Sequence, residues 1–591
     1  MAGSSGDPVG ARRPHRIGPH PVLAALPALP LSVWVIVFIM VPMGTMAVFS
    51  LWRYHNFDLE PVWNLGNYRA VLTQPVYARV MGRTLEIAAL VTVGCIAIAY
   101  PFAYFLARRT QRWQGLLIVL VMVPFWTSFL IRTYAWMSIL ASNGVINSVL
   151  RRAGVVNQPI QLLYTMTAVV IAGIYLYLPF AVLSIYTSLE KLGASLEEAA
   201  MDLGAGPWTT FRRVTFPLSL AGVQAAVIFV FVPALGLFVT PALLGGANAT
   251  MIGNLQVTIF KTSLDFALGS AVSFVVLVVA LVAVALFGRS VDLERVYAGG
   301  VGQLTARRGG PGHGRFGILG GYATLTYAFL FLPVAFLILF SFSSAAGGVF
   351  PPPGYTVQWY REALDDPWLM TSVWNSFMIA VLSALIAVVI ATPGAYAIVR
   401  YRFPGRSLVR QALIIPLIVP TIMLGFGLML LFKALDIELS LATILIGHAT
   451  YVLPYAFFVI AAQQYGFDRT LEEAAMDLGA NRLRTFRSVT LPLMVPGLAA
   501  AGIFAFTLSL DEFIITFLLT STTQTLPLYV WGMLRTIVSP TVNAVATLIV
   551  LASLALLGGM FLVQTVVRGA RPAPPGGEWS GAPTSGRGPE E

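Results

Sequence analysis

The sequence predicts an all-α polytopic membrane protein with about twelve transmembrane helices, arranged as two tandem six-helix halves. Three observations support this fold class. Of the 591 residues, 57% are hydrophobic and only 10% are charged, whereas soluble domains carry about 25% charged residues. Twelve apolar runs are long enough to cross a bilayer, which needs roughly 20 residues. The nonapeptide EEAAMDLGA also occurs twice, 275 positions apart.

The apolar runs are predicted to be helices. They are continuous and long, whereas the strands of a membrane barrel alternate in polarity and span about ten residues. The first run is too long for the core of a signal peptide, so we expect it to be retained as a membrane span. The runs lie near 24–50, 85–107, 115–138, 164–188, 218–243, 267–287, 318–342, 376–399, 409–433, 441–462, 493–519 and 542–566.

Charge and composition exclude several kinds of site. The formal charge of +11 could indicate a nucleic-acid partner, but no basic segment is interleaved with exposed aromatic residues. Cys95 is the sole cysteine and the five histidines are scattered, so we expect no disulfide and no metal site. The sequence has no G-x-x-x-x-G-K-[ST] motif for phosphates. We therefore expect no bound cofactor and no ATP hydrolysis by the chain itself.

The distribution of arginines predicts the orientation. The turn RYRFPGRSLVR at 400–410 has four arginines and no acid, whereas loop 343–375 has one arginine and three acids. Positive residues concentrate on the cytoplasmic side, so the turn is predicted to be cytoplasmic and the loop external. Both termini are then cytoplasmic. Arg151 and Arg152 are the exception, because this scheme places them outside.

The division of the chain follows from the runs and the loop between them. The middle loop is basic and rich in glycine, which is typical of a flexible linker. The predicted parts are a cytoplasmic tail (1–21), a first half (22–287), a cytoplasmic linker (288–317), a second half (318–566) and a disordered cytoplasmic tail (567–591).

An internal repeat relates the two halves. Residues 196–218 align without gaps to 471–493, and 17 of the 23 positions are identical. Residues 99–108 match 391–400 at an offset of 292. Each long repeat lies between the fourth and fifth spans of its half, so the halves run in the same direction.

The start of each repeat is predicted to be a short helix. Ser195-x-x-Glu198 and Thr470-x-x-Glu473 both fit a capping box, in which the first side chain caps the helix and the glutamate returns the bond. One interpretation is that Glu198 and Glu473 only cap a polar turn. However, two helices need a connection of about 2–8 residues, and these loops are much longer. A docking surface explains the extra length better.

The rest of each repeat is predicted to form a second helix. Gly204 and Gly479 fit the left-handed residue that ends a helix. Pro207 then occupies a favoured first helical position, and Asn481 can cap the counterpart helix. The proline of each T-x-P-L segment is expected to mark entry into the next span. Each copy is therefore helix–glycine–helix outside the membrane.

The motif E-A-A-x-x-L-G followed by F-R-x-V-T-x-P-L resembles the cytoplasmic motif of binding-protein-dependent ABC importer permeases. The resemblance implies the type I ABC importer fold, with loops 189–217 and 464–492 as coupling loops that dock a cytoplasmic ATPase. It assigns this docking role to Glu198, Ala199, Ala200, Asp202, Gly204, Phe211, Arg212, Glu473, Ala474, Ala475, Asp477, Gly479, Phe486 and Arg487.

Flanking segments are similar to the two permeases of spermidine/putrescine importers. VPFWTSFLIRTYAW (123–136) resembles the first permease, and TVQWYREAL (356–364) and 525–548 resemble the second. The family usually has two chains, so this chain looks like a fusion. The resemblance implies a bacterial inner-membrane location among membrane lipids, a partner ATPase in two copies, and a periplasmic or lipid-anchored substrate-binding protein. It also implies a small cationic substrate and favours a polyamine.

One acidic pair is a candidate for the substrate pathway. By the repeat, Ala234–Phe238 aligns with Ser509–Phe513, so Asp511 and Glu512 occur only in the second half. A charged side chain inside a membrane helix costs about 2.5–3.5 kcal/mol and tends to face a bundle interior or water path. Adjacent helical residues point about 100° apart, so we expect one of the two to line the path. The alternatives are a structural acid paired with an arginine, or an exit-edge residue.

Aromatic residues in the predicted spans could solvate an organic cation. The candidates are Trp126, Tyr175, Tyr451 and Tyr455, and interfacial anchoring or packing is the alternative for each. His448, in the tenth span, is expected to be a hydrogen-bonded interior residue.

Two alternatives concern function. An importer of the same class for ferric iron, thiamine or an organophosphonate would share every feature except cargo, and fused permeases for iron and thiamine exist. A secondary transporter of the major-facilitator type also has six-plus-six parallel repeats. That fold has its characteristic loops after spans two and eight, whereas here the repeat follows spans four and ten.

Overall fold

The computed structural model describes residues 24–55, 58–110, 113–193, 195–288, 317–345, 348–536 and 540–569. The predicted first tail, almost all of the linker and residues 570–591 of the second tail lie outside these ranges. The described part is almost entirely helical, which confirms the predicted all-α class.

Nine helices of the described part are long and apolar enough to cross a membrane. They match nine of the predicted spans, and a helix at Pro540–Gly569 matches the twelfth. The nine are Leu26–Ser50, Pro75–Arg109, Met166–Lys191, Pro207–Leu235, Phe266–Phe287, Gly317–Ser341, Pro367–Arg400, Leu441–Tyr465 and Arg482–Asp511.

The predicted third and ninth spans are not continuous helices. The ninth consists of Arg406–Ile418 and Thr421–Ala434, which meet at an angle of 111°. At this break Val419 has an extended backbone, with φ −71° and ψ 130°, as expected for a residue that precedes a proline. The third is Gln114–Met122, a 3₁₀ turn and then Phe129–Leu140.

The fifth and eleventh spans end earlier than predicted. After Leu235 and Asp511 the chain turns into short helices at Val239–Leu244 and Ile514–Leu519. The non-helical residues at these breaks are 236–238 and 512–513. The repeat offset of 275 therefore relates both the breaks and the short helices that follow them.

Short elements complete the described part. Strands Arg53–His55 and Asp58–Glu60 form an antiparallel hairpin with Tyr54 opposite Leu59. The short helices and turns outside the spans and repeats are Gly66–Thr73, Val145–Arg152, Ala247–Ala249, Ile252–Val257, Thr258–Thr262, Gln358–Leu364 and Leu526–Thr536.

The first long helix of each half packs against the opposite half. Trp34 donates from its indole Nε1 to Thr450 Oγ1 at 3.2 Å. The hydroxyl of Tyr327 donates to the carbonyl of Leu117 at 2.7 Å. The halves are therefore interlocked, and sequence order alone does not separate the packing units.

Candidate functional site

The two repeats form similar projections, which we call the first plug (195–215) and the second plug (470–490). Each begins with an eight-residue helix, Ser195–Asp202 or Thr470–Asp477. A glycine turn then leads to a second short helix, as the sequence predicts.

The glycine turns confirm the predicted helix ends. Gly204 has φ +85° and Gly479 has φ +89°, in the left-handed region that favours glycine. The N–H of Ala205 returns to the carbonyl of Ala200 at 3.0 Å, which satisfies a carbonyl left free at the helix end. No other group approaches the position of a Cβ at either glycine, so the requirement comes from the backbone.

The predicted capping box of the second plug is wrong. Arg469 already has helical dihedral angles, and the free N–H of Thr470 donates to the Asp468 carboxylate at 2.9 Å. This hydrogen bond lowers the pKa of Asp468. Glu473 instead forms an exposed ion pair with Arg469 at 3.1 Å. In the first plug, position 194 lies outside the described residues, so the capping box at Ser195 and Glu198 stays a prediction.

The second helices start as predicted but do not end before the membrane span. Pro207 is the first residue of its helix, and the Asn481 side chain accepts from the N–H of Arg484 at 2.9 Å. Each helix then continues through a π-turn, Phe211–Thr215 or Phe486–Thr490, into the next span. The proline two residues after each π-turn has no N–H, which explains why the α-helical bonding is interrupted there.

Most residues assigned to docking are exposed. Ala200, Ala475, Phe211 and Phe486 are half-buried. The exposed residues are Glu198, Ala199, Asp202, Gly204, Arg212, Glu473, Ala474, Asp477, Gly479 and Arg487.

Each plug also exposes apolar side chains at positions related by the repeat. Leu203 and Leu478, at the glycine turns, are each 90% exposed. The other pairs are Leu196 with Leu471, Met201 with Met476, and Trp208 with Leu483. Sequence reasoning missed these residues, although the leucines and methionines lie within or beside the repeated nonapeptide.

The half-buried phenylalanines connect the plugs to the second long helix of each half. Phe211 makes an edge contact with Tyr104, with ring centroids 6.3 Å apart, and Phe486 makes the equivalent contact with Tyr396 at 5.0 Å. Tyr104 and Tyr396 share the offset of 292. These side chains therefore pack inward on their own half.

Buried ion pairs hold both plugs at their bases. Glu197 Oε1 lies 3.0 Å from Arg108 Nε, and Glu472 Oε2 lies 3.2 Å from Arg400 Nε. All four side chains are at most 12% exposed. The sequence had instead indicated the next glutamate of each plug, Glu198 or Glu473. Arg108 and Arg400 are the last residues of the matching segments 99–108 and 391–400. This match was the signal in the sequence that could have identified the ion pairs.

The candidate acids of the pathway lie at the break after the eleventh span. Asp511 accepts the backbone N–H of Phe129, in the other half, at 2.8 Å. Its carboxylate also lies 3.9 Å from Arg132 Nη2, which matches the predicted alternative of an acid paired with an arginine. Glu512 is buried and accepts the N–H of Ile515 at 3.0 Å. Of the two acids, Asp511 faces the other half and is 31% exposed.

The equivalent contact in the first half has no charge. Gly236 corresponds to Asp511 by the repeat, and Pro420 corresponds to the residue before Phe129 by the offset of 292. A Cβ on Gly236 would lie 2.8 Å from the Pro420 Cβ. The two breaks therefore meet the opposite half at related points through different chemistry.

The candidate aromatic residues are not all in one place. Tyr451 and Tyr455 make an edge contact with ring centroids 5.6 Å apart. Tyr175 is buried against Trp136 and Phe329, so it packs between the halves. The side chain of Trp126 lies outside the described residues.

His448 is buried, and its ring nitrogens lie 2.8 Å from Ser509 Oγ and Thr516 Oγ1. These contacts confirm that it is a hydrogen-bonded interior residue. Within the described ranges, no three His, Cys, Asp or Glu side chains form a group that could hold a metal ion.

Comparison with known proteins identifies the family. Residues 90–293 and 392–571 match the model of the binding-protein-dependent transport system inner membrane component. The chain belongs to this family. Two tandem matches show that it is a fused permease, and together with its apolar helices they make it a multi-pass inner-membrane protein.

Two groups of relatives each match less than half of this permease. The chain is 38% identical over 247 residues to the spermidine/putrescine transport system permease protein PotB of Salmonella typhimurium, covering 42% of this chain and 86% of that protein. It is 35% identical over 239 residues to the corresponding permease PotC of Escherichia coli, covering 40% of this chain and 90% of that protein.

Proposed function

We propose that this permease is the membrane subunit of an ATP-driven importer for polyamines or a related small organic cation. A separate ATPase supplies the energy by docking on the two plugs, and a periplasmic or lipid-anchored binding protein delivers the substrate. Both termini and both plugs then face the cytoplasm. The matched exposed surface of the two plugs carries this proposal.

The exposure of the plugs and their repetition support docking of a partner there. Single exposed apolar residues are common on protein surfaces, but here four pairs occur at matched positions, and both leucines at the glycine turns are 90% exposed. Exposed apolar patches rimmed by polar residues are typical of interaction sites. Two matching surfaces in one chain favour two copies of the same partner, one on each plug.

The relatives and the position of Asp511 support a polyamine as the cargo. Both groups of relatives carry spermidine/putrescine in their names. Asp511 is partly exposed, and its ion pair with Arg132 is long at 3.9 Å. An amine of the substrate could therefore compete for this carboxylate, with Tyr451 and Tyr455 offering aromatic faces to an organic cation.

The family assignment excludes a secondary transporter, but importers of this class for ferric iron, thiamine or an organophosphonate differ only in cargo. Uptake of radiolabelled spermidine tests the proposal in cells that lack their own polyamine importers and express the permease with its partner ATPase and binding protein. We expect ATP-dependent uptake that excess putrescine reduces and excess thiamine does not. Absence of spermidine uptake, with uptake of one of the other substrates, would contradict the cargo.

A further inference from the structure

A three-residue cluster at the base of the first plug joins three elements. The Glu197 carboxylate accepts from Arg108 Nε and from Thr215 Oγ1, both at 3.0 Å. The Arg108 Nη2 also donates to the carbonyl of Gly193 at 3.1 Å. Arg108 is near the end of Pro75–Arg109, Glu197 lies in the plug helix and Thr215 ends the π-turn. We call this cluster the first clamp.

The second plug has the same cluster, the second clamp. The Glu472 carboxylate lies 3.2 Å from Arg400 Nε and accepts from Thr490 Oγ1 at 2.8 Å. Arg400 ends the helix Pro367–Arg400, and Thr490 ends the second π-turn. The same three residue types therefore join the same three elements in both halves.

Burial makes these clamps rigid. The side chains of the first clamp's ion pair are 10% and 12% exposed, and those of the second are 11% and 6% exposed. Removing one partner of a buried pair leaves an uncompensated charge, which is strongly destabilising. The Arg469–Glu473 pair of the second plug is more than half exposed, and such pairs contribute little. Each plug thus has one firm attachment to its half through a carboxylate.

We propose that Glu197 and Glu472 are positioning residues that transmit the movement of each plug to two membrane helices of its half. The proposal rests on the proposed function, in which the plugs bind the ATPase. A plug displaced by the ATPase draws the arginine-bearing helix and the helix after the π-turn with it, because the arginine forms an ion pair with the same buried carboxylate that accepts from the threonine. The exposed side chains of the plug face the partner, so transmission and docking belong to different residues.

The double variant Glu197→Gln with Glu472→Gln separates these roles. The full complex is reconstituted in proteoliposomes with its ATPase and binding protein, and imported spermidine is measured per ATP hydrolysed. We expect the ATPase to copurify as in the parent, while import per ATP falls at least about fivefold, which is about 1 kcal/mol of coupling. Glu190→Gln, which changes an exposed acid five residues before the first plug, is the control and should leave the ratio unchanged.

Charge exchange distinguishes transmission from folding. Arg108→Glu with Glu197→Arg, combined with the same exchange of Arg400 and Glu472, should restore part of the import-to-ATP ratio lost in single exchanges. A role limited to folding predicts less protein in the membrane, with an unchanged ratio for the protein that assembles.

Spin labels provide a second measurement. Val76 and Trp368 share the offset of 292, are exposed and lie at the far ends of the clamped helices. Cys95 is the sole cysteine and is buried, so labels at Val76→Cys and Trp368→Cys can report the distance between the two helices. We expect ATP to change this distance in the parent and to change it less in the Gln variant.

An unchanged import ratio and an unchanged distance response in the Gln variant would overturn the proposal. Loss of the ATPase from that variant would also overturn it, because the clamps would then belong to docking. Failure of the parent to bind the ATPase would instead contradict the proposed function, so the two failures are distinguishable.

Discussion

The plugs and the helix breaks differ in how far the two halves resemble each other. Both plugs have a glycine with φ near +85° to +89°, a buried glutamate–arginine pair and matched exposed leucines. At the breaks, a charged contact between Asp511 and Phe129 in one half corresponds to close apolar packing of Gly236 in the other.

Under the proposed function, this difference corresponds to two kinds of partner. Two nearly identical plugs fit two copies of one protein, whereas a pathway between the halves carries one substrate and has no need of symmetry. Under the proposed function, Asp511, which is the partly exposed one of the two acids at this break, gives the pathway a charged side. Variants at the breaks and in the plugs test whether the asymmetry belongs to the pathway and the symmetry to the plugs.

The largest expected effect concerns Asp511. Asp511→Asn keeps an oxygen to accept the N–H of Phe129 but removes the charge. A hydrogen bond to a charged group is worth about 1.5–3 kcal/mol, so we expect spermidine uptake to fall by about 10- to 100-fold with assembly intact. Uptake kinetics measure this, and Glu512→Gln, which changes the buried acid, is the matched comparison. Unchanged kinetics in Asp511→Asn would remove Asp511 from the pathway.

The second prediction concerns the apolar contact of the other half. Gly236→Ala places a Cβ 2.8 Å from Pro420, and overpacking of this kind typically costs about 1–3 kcal/mol. We expect a lower midpoint of thermal unfolding in detergent, without a change in cation preference. Gly44→Ala, where no neighbouring group lies within 4 Å of the added atom, is the control. Equal midpoints for both variants would show that this contact is loose.

The third prediction tests the symmetry of the plugs. Gly204→Ala and Gly479→Ala each force a side chain into the left-handed region, at a cost of roughly 1–2 kcal/mol. We expect similar increases in amide hydrogen exchange in the affected plug, because the two turns have the same conformation. Gly206→Ala, where φ is −67°, should have no such effect. A response in one plug alone would break the symmetry.

The smallest expected effect concerns the cap of the second plug. Asp468→Ala removes the acceptor for the N–H of Thr470, so the first turn of this helix loses its side-chain hydrogen bond. Because the hydrogen bond lowers the pKa of Asp468, its contribution is present above the ordinary pKa of the residue and is lost as pH falls through the lower value. Hydrogen exchange within 470–477 should show the loss in the variant at neutral pH, and equal exchange would argue against the cap.

The plugs were largely predictable because their determinants are local. A glycine at a helix end, a proline at a first helical position and an asparagine cap each act within a few residues. The choice between Glu197 and Glu198 was not predictable in this way, because it depends on Arg108, which is 89 positions earlier. The packing of the first long helix of each half against the opposite half likewise depends on residues that are far apart in the sequence.

The breaks were not predictable from hydropathy, because a straight span and a bent span can have the same apolar composition. Proline does not decide the matter alone. Pro101 and Pro179 lie inside continuous helices, whereas the chain bends by 111° at the break that contains Pro420. The acid of Asp511 was visible in the sequence, but its partner across the halves was not.

The number of ATPase copies bound to one permease tests the central claim most directly. Native mass spectrometry of the complex should give two copies for the parent and for Leu435→Asp, which changes an exposed leucine outside the plugs. Leu203→Asp with Leu478→Asp should remove both copies while the permease remains intact. A single copy in the parent, or two copies in the double variant, would contradict an account in which each plug holds its own ATPase.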